Sequence, residues 1–121
     1  MVDYTFYPSC PFYVANGIVY ALYDNDDKVY YIGCTLGTIE NRVAGHVADA
    51  KANRSNKERN AVIQSQKFEV VARIISRHWV TGLFQSMAYR KLTHFEDKCI
   101  EDHLELGYPL CNKFRIRLDN S

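Results

Sequence analysis

Apolar and polar positions along the chain fall into a short list of elements. Residues 17–23, "GIVYALY", are rich in β-branched and aromatic side chains, and residues 28–33, "KVYYIG", repeat that character. The acidic tetrapeptide Asp24–Asn25–Asp26–Asp27 lies between them. Asp and Asn accept turn conformations and bond their own backbone, so the three pieces predict a β-hairpin. Glycines at 33 and 37 then break the pattern, and Thr38 is placed to cap a helix over residues 39–52, although Asn41 stands where a full capping box would have Glu or Gln. Ile39, Val43, His46 and Val47 fall on one side of that helix. The polar, basic run "KANRSNKERNAVIQSQ" carries a short helix in its second half, over residues 57–64. Residues 67–76, "KFEVVARIIS", predict a third strand, and a long helix follows over residues 83–106, ended by Gly107 with Pro109 blocking its return. The last stretch, "LCNKFRIRL", reads as a short strand.

The order strand, strand, helix, short helix, strand, helix has too few strands for a doubly wound sheet. It predicts an α+β fold: a small antiparallel sheet of about three strands flanked by helices. Residues 1–16, aromatic and carrying Pro8 and Pro11, read as an extended arm, and residues 17–121 as a single domain. A chain of 121 residues can bury about two-thirds of its unfolded surface, enough for a core of its own.

Charge and cysteines narrow the classes. The formal net charge is +1, so a nucleic-acid surface must come from local clusters of Lys and Arg. Cys10, Cys34, Cys99 and Cys111 form no C-x-x-C pair, and His46, His78, His94 and His103 do not complete a zinc signature. The N-terminus has no basic segment followed by an apolar run, and no segment is apolar enough to span a membrane. These features predict a soluble, intracellular, reduced protein that does not engage a membrane.

Tyrosine is a common strand residue, and packing is its ordinary role. Two of them stand in a setting that suggests more. Tyr20 and Tyr31 lie on the two arms of the hairpin, and Tyr31 is followed at once by Ile32–Gly33, where the strand ends. Arg42 and His46 then occupy positions i and i+4 of the next helix, on one face.

The ordered set Gly17–Ile18–Val19–Tyr20, Tyr31–Ile32–Gly33, Arg42, His46, then a Glu and an Asn near the C-terminus, resembles the GIY-YIG nuclease superfamily. Val19 stands where Ile is usual in the first motif. The resemblance covers residues 17–112 and implies a divalent-metal-dependent endonuclease, most naturally of DNA. It implies catalytic roles for Tyr20, Tyr31, Arg42, His46, Glu96 and Asn112, with one glutamate binding Mg²⁺ or Mn²⁺. Glu96 and Glu101 compete for that ligand; Glu96, with Ile100 and Leu104 following and Asn112 closing the loop, fits the family pattern. An arginine offers planar, permanently charged contact to phosphate, and one carboxylate can hold a hydrated Mg²⁺. One tyrosine, Tyr20 ahead of Tyr31, would serve as base for water, with His46 accepting or relaying the proton. Lys51, Arg54, Lys57 and Arg59, just past the Arg–His helix, offer a track for a nucleic-acid backbone. A domain this small cuts one strand, so double-strand cleavage would call for a homo-oligomer or two events. The other class is a non-catalytic nucleic-acid-binding or scaffold protein that keeps the fold.

Overall fold

The computed structural model describes residues 13–66 and 69–112. The arm expected over residues 1–12, the start of the expected third strand at residues 67–68, and the closing strand from residue 113 onward lie outside the described residues. Six elements follow one another: β1 (Tyr13–Tyr23), β2 (Val29–Thr35), α1 (Ile39–Ala52), α2 (Lys57–Gln64), β3 (Val71–Gly82) and α3 (Gln85–Glu105). The three strands form one antiparallel sheet in the order β2-β1-β3, and with its three helices the fold is α+β.

The hairpin forms as its sequence dictates. Asp24 closes the turn by accepting from the backbone N–H groups of Asp26 and Lys28 through its carboxylate, both at 2.9 Å. Asp27 takes the left-handed conformation, φ 64°, that Asp tolerates better than most residues. Thr38 caps α1, its Oγ1 accepting from the Asn41 N–H at 3.1 Å. Asn53, at φ 53°, ends that helix in the left-handed region. Asn56 caps α2, accepting from the Arg59 N–H at 3.0 Å, while its amide donates to the Cys111 carbonyl at 2.6 Å.

Several element ends differ from expectation: β2 runs on through Thr35 rather than ending at Gly33, and the outer extensions of β1 and β3 share one physical reason. The third strand runs Val71–Gly82 rather than 67–76, and β1 starts at Tyr13, four residues inside the stretch assigned to the arm. The two extensions pair with each other: Tyr13 faces Gly82, Val14 faces Thr81, Ala15 faces Val80 and Asn16 faces Trp79. Pairing between segments so far apart in sequence stabilises strand where local pattern alone does not specify it. The register shifts between Val19 and Tyr20, where Ser76 and Ile74 are the successive partners and Ile75 bulges. The long helix begins at Gln85 rather than 83, because Gly82 packs its backbone against the first turn; a Cβ there would come within 2.7 Å of Met87 Cβ.

Side chains of the central strand alternate between two cores. Val19 and Ala21 join Ile32, Val80, Ala88, Leu92 and Ile100 in an apolar cluster with α3. Tyr20 and Leu22 join Tyr30, Ala50 and Ile63 in the cluster with α1 and α2. Cys34, Cys99 and Cys111 are thiols.

Candidate active site

The hydroxyl of Tyr20 is the centre of the site. Its residue is fully buried, and its Oη lies 2.7 Å from His46 Nε2, also fully buried. Tyr20 faces Gly33 across the hairpin, and the phenol lies over that glycine. A Cβ at position 33 would sit 2.6 Å from Tyr20 Cζ, so the glycine that ends the "YIG" run makes room for the "GIVY" tyrosine. Arg42, one turn before His46 on α1, interacts electrostatically with the Tyr20 phenol and favours its ionised form. Tyr31 meets His46 edge-on, with ring centroids 5.2 Å apart.

Glu96 enters from α3. The buried residues of that helix are Ala88, Leu92, Glu96 and Ile100, a stripe at steps of four, so the carboxylate sits in a row that is otherwise apolar. It is 6% exposed and lines a polar cavity of about 290 Å³ together with Tyr31, Arg42, Asn56, Arg59 and Asn112. Glu101 is exposed on the same helix and lines none of the described cavities near the tyrosines. Asn112 bonds β2 at Ile32 on both sides of the residue: the backbone N–H donates to Oδ1 at 3.0 Å, and Nδ2 donates to the carbonyl at 2.6 Å. The adjacent Cys111 N–H donates to the Tyr30 carbonyl at 2.7 Å.

Burial sets the protonation of these groups. It drives the His46 imidazole down to about 3, with the Arg59 and Arg42 charges pushing the same way, so the ring is neutral at neutral pH. Burial raises the Tyr20 phenol well above its ordinary value, Tyr31 adds to the rise, and Arg42 opposes it. Tyr31 is raised by burial, with Arg59 opposing. Burial works to lower the Arg42 guanidinium, but Tyr20 and Tyr31 beside it outweigh that and raise it. Tyr20 and His46 therefore rest as a neutral phenol and a neutral imidazole sharing one hydrogen bond. His46 Nδ1 is buried with no hydrogen-bond partner among the described residues.

Tyr20, Tyr31, Arg42, His46, Glu96 and Asn112 are thus brought together. The four basic residues suggested for a backbone track are divided. Lys51, Arg54 and Lys57 are exposed, and Arg54 pairs with Asp49 at 3.3 Å. Arg59 is 3% exposed; its guanidinium reaches Asp49 at 3.5 Å and lies 5.1 Å from the centre of the Tyr31 ring, inside the cavity of Glu96. Its place against Tyr31 has no clear sequence signal, since α2 is too short and polar to announce a buried face. Tyr89, which lines a second cavity with Arg42, was also not singled out by sequence.

A three-stranded sheet whose hairpin tyrosines meet an Arg–His helix face and a buried glutamate is the architecture of a small nuclease-type domain. Residues 16–81, more than half of the chain, match the model of the GIY-YIG catalytic domain, and the chain belongs to that family. The matched segment carries Tyr20, Tyr31, Arg42 and His46 and stops ahead of Glu96 and Asn112. No curated protein and no solved structure matches the chain. No helix among the described residues is long and apolar enough to cross a membrane.

Proposed function

We propose that the protein is an endonuclease that hydrolyses phosphodiester bonds in DNA with the help of one divalent cation, Mg²⁺ or Mn²⁺, held by Glu96. The observation that carries this reading is the Tyr20–His46 hydrogen bond of 2.7 Å, with Arg42 from the same helix lining one cavity with Glu96. The residues fit a cation of this kind. No cluster of three or more His, Cys, Asp or Glu side chains that could cage a metal occurs among the described residues. Mg²⁺, however, keeps several waters and commonly takes one or two carboxylates plus phosphate oxygens. A single buried carboxylate on a polar cavity beside a phosphate-binding arginine meets that need. When bound, the cation supplies Lewis-acid stabilisation of charge at the phosphate and leaving oxygens.

The chain's own residues do the rest. Arg42 binds the non-bridging oxygens of the attacked phosphate and faces Tyr20, so substrate and phenol share one guanidinium. Tyr20 takes a proton from water as its own passes to His46 Nε2, an uptake that burial and the arginines disfavour in the resting site and that the negative charge of a bound phosphate would favour. The two transfers compensate, so the phenol need never ionise fully, which its raised pKa would oppose. Tyr31 packs its ring against His46 and Arg59 and holds both in place. Asn112 is a positioning residue, because both of its amide atoms are committed to Ile32.

The test is cleavage of supercoiled plasmid and of a branched DNA by wild type and Glu96→Ala, with Mg²⁺ or with EDTA. Nicking that needs Mg²⁺ and disappears in Glu96→Ala is the expected result. Undiminished nicking by Glu96→Ala would move the cation to Glu101. Absence of cleavage, with salt-sensitive binding intact, would leave a nucleic-acid-binding module.

A further inference from the structure

Arg42 is shared by two cavities. One is the Glu96 cavity. The other, about 570 Å³, is lined by Arg42 together with Cys34, Thr35, Gln85, Ser86 and Tyr89 among others. We propose that this second cavity is the subsite for one unpaired nucleotide adjoining the cleaved phosphodiester, with Tyr89 as the ring on which its base stacks. This rests on the nuclease reading above.

Four observations support it. First, Arg42 lines both cavities, so a phosphate held by its guanidinium would border each of them. Second, Tyr89 and Glu96 are seven residues apart on α3, which returns them to nearly the same side of the helix about 10 Å apart along its axis. That separation is on the scale of one nucleotide step plus its base. Third, the lining is chemically suited to a base and sugar: hydroxyls of Thr35 and Ser86, the amide of Gln85, and an aromatic ring that is 43% exposed, with no carboxylate. The volume falls within the range of about 300–1,000 Å³ usual for small-molecule sites. Fourth, charge changes sign at Glu96 along residues 70–105. No Asp or Glu occurs from Val70 through Phe95, while Arg73, Arg77, Arg90 and Lys91 do; Glu96, Asp97, Glu101, Asp102 and Glu105 then follow with Lys98 alone among them. A polyanion is drawn to the Tyr89 half of α3 and repelled from the other half. The cavity has room for a base only when that base has left its stack, and unstacking costs least where the nucleotide is already unpaired. The enzyme therefore prefers single-stranded or locally unpaired sites to continuous duplex.

The test measures binding in EDTA by the full chain carrying Glu96→Gln, to a fluorescein-labelled single strand, its continuous duplex, and the same duplex with one bulged nucleotide. The single strand and the bulged duplex should bind more tightly than the continuous duplex. Tyr89→Ala should weaken those two by about 5- to 150-fold, the worth of one base stack, and leave the continuous duplex unchanged. Tyr89→Phe and Tyr89→Trp should bind like the parent, and Tyr89→Leu, which keeps apolar bulk without a ring, should lose as Tyr89→Ala does. Making the bulged nucleotide abasic should weaken the parent by the same factor and Tyr89→Ala no further. Equal weakening on all three DNAs, a loss in Tyr89→Phe as large as in Tyr89→Ala, or full binding of the abasic bulge would each overturn the subsite. The two readings fail separately: a wild type that cuts plasmid but is indifferent to Tyr89 loses only the subsite, and one that never cuts but shows the Tyr89 pattern loses only the nuclease.

Discussion

The two faces of the sheet bury similar numbers of large side chains for different ends. Against α3 the core is apolar: Val19, Ala21, Ile32, Val80, Ala88, Leu92 and Ile100. On the side of α1 and α2 the buried set includes Tyr20, Tyr30, His46, Arg59 and Asn60. Burying polar groups costs free energy unless they find partners. On this side, three polar atoms, Tyr30 Oη, His46 Nδ1 and Arg59 Nε, are buried without a hydrogen-bond partner among the described residues. One face contributes stability, and the other gives up some of it to bury polar groups around Tyr20 and His46. Glu96 crosses the division: it belongs to the buried stripe of α3 yet opens on the cavity of the other side.

Substitutions on the two faces should therefore separate activity from stability. The largest expected effect is on cleavage. Arg42→Ala should lower kcat by about 10²–10³-fold, as loss of a single charge-stabilising donor does, and leave the melting temperature nearly unchanged, because Arg42 is an exposed residue. A variant that melts far below wild type would put Arg42 in the fold instead. Leu92→Ala should do the reverse. It empties a fully buried position against Gly17, and denaturant unfolding should report a loss of about 2–5 kcal/mol with the rate per folded molecule preserved. Gly33→Ala joins the two effects. The added methyl meets the Tyr20 ring, so unfolding should become easier by about 1–3 kcal/mol and cleavage should fall by more than that destabilisation explains.

A smaller effect is the pH dependence of stability. The folded His46 titrates near 3, against an ordinary value of 6.5. As pH falls below 6.5 the unfolded chain takes up a proton that the folded chain refuses. Stability is therefore complete above that value and is lost on acidification toward 3, with a slope approaching about 1.4 kcal/mol per pH unit. Chemical denaturation of wild type and His46→Asn between pH 5 and 7 isolates this contribution, since the variant should lack the slope; parallel slopes would mean that His46 protonates freely in the folded protein. The smallest effect belongs to Arg54→Ala, which removes a largely exposed partner of Asp49 and should cost at most about 0.5 kcal/mol by the same measurement.

Local chemistry was the legible part of the fold. The hairpin turn, the Thr38 cap, and the bounds of α1 and α2 are each set by residues within a few positions of one another, and the sequence reveals them. The outer halves of β1 and β3 are not set locally. Asn16 and Trp79 become strand because they face each other across 62 intervening positions of chain, and Trp79 stays 73% exposed, so no alternation announces it. The same contrast holds at the site. The spacing of Tyr20, Tyr31, Arg42 and His46 and the pattern around Glu96 gave a resemblance whose six residues the fold brings together, and Tyr23 and Tyr30 pack in the two cores as expected of ordinary strand tyrosines. Arg59 was expected on an open basic track, because a basic residue beside other basic residues reads as solvated surface. Only the fold of α2 against α1, with Asp49 reaching over, turns it inward.

The reciprocal bonds of Asn112 have a consequence for assembly. Ile32 and Tyr30 present their outward backbone groups on the side of β2 away from β1. Those of Ile32 are filled by Asn112, and the Tyr30 carbonyl by the Cys111 N–H. The chain behind α3 behaves there as a fragment of a fourth strand. An unpaired sheet margin is a template for a neighbouring molecule, and this one is already occupied by the protein's own tail. Two copies cannot join by continuing the sheet through the middle of β2 without first evicting Asn112. If double-strand cleavage requires a pair of molecules, they must meet through another surface.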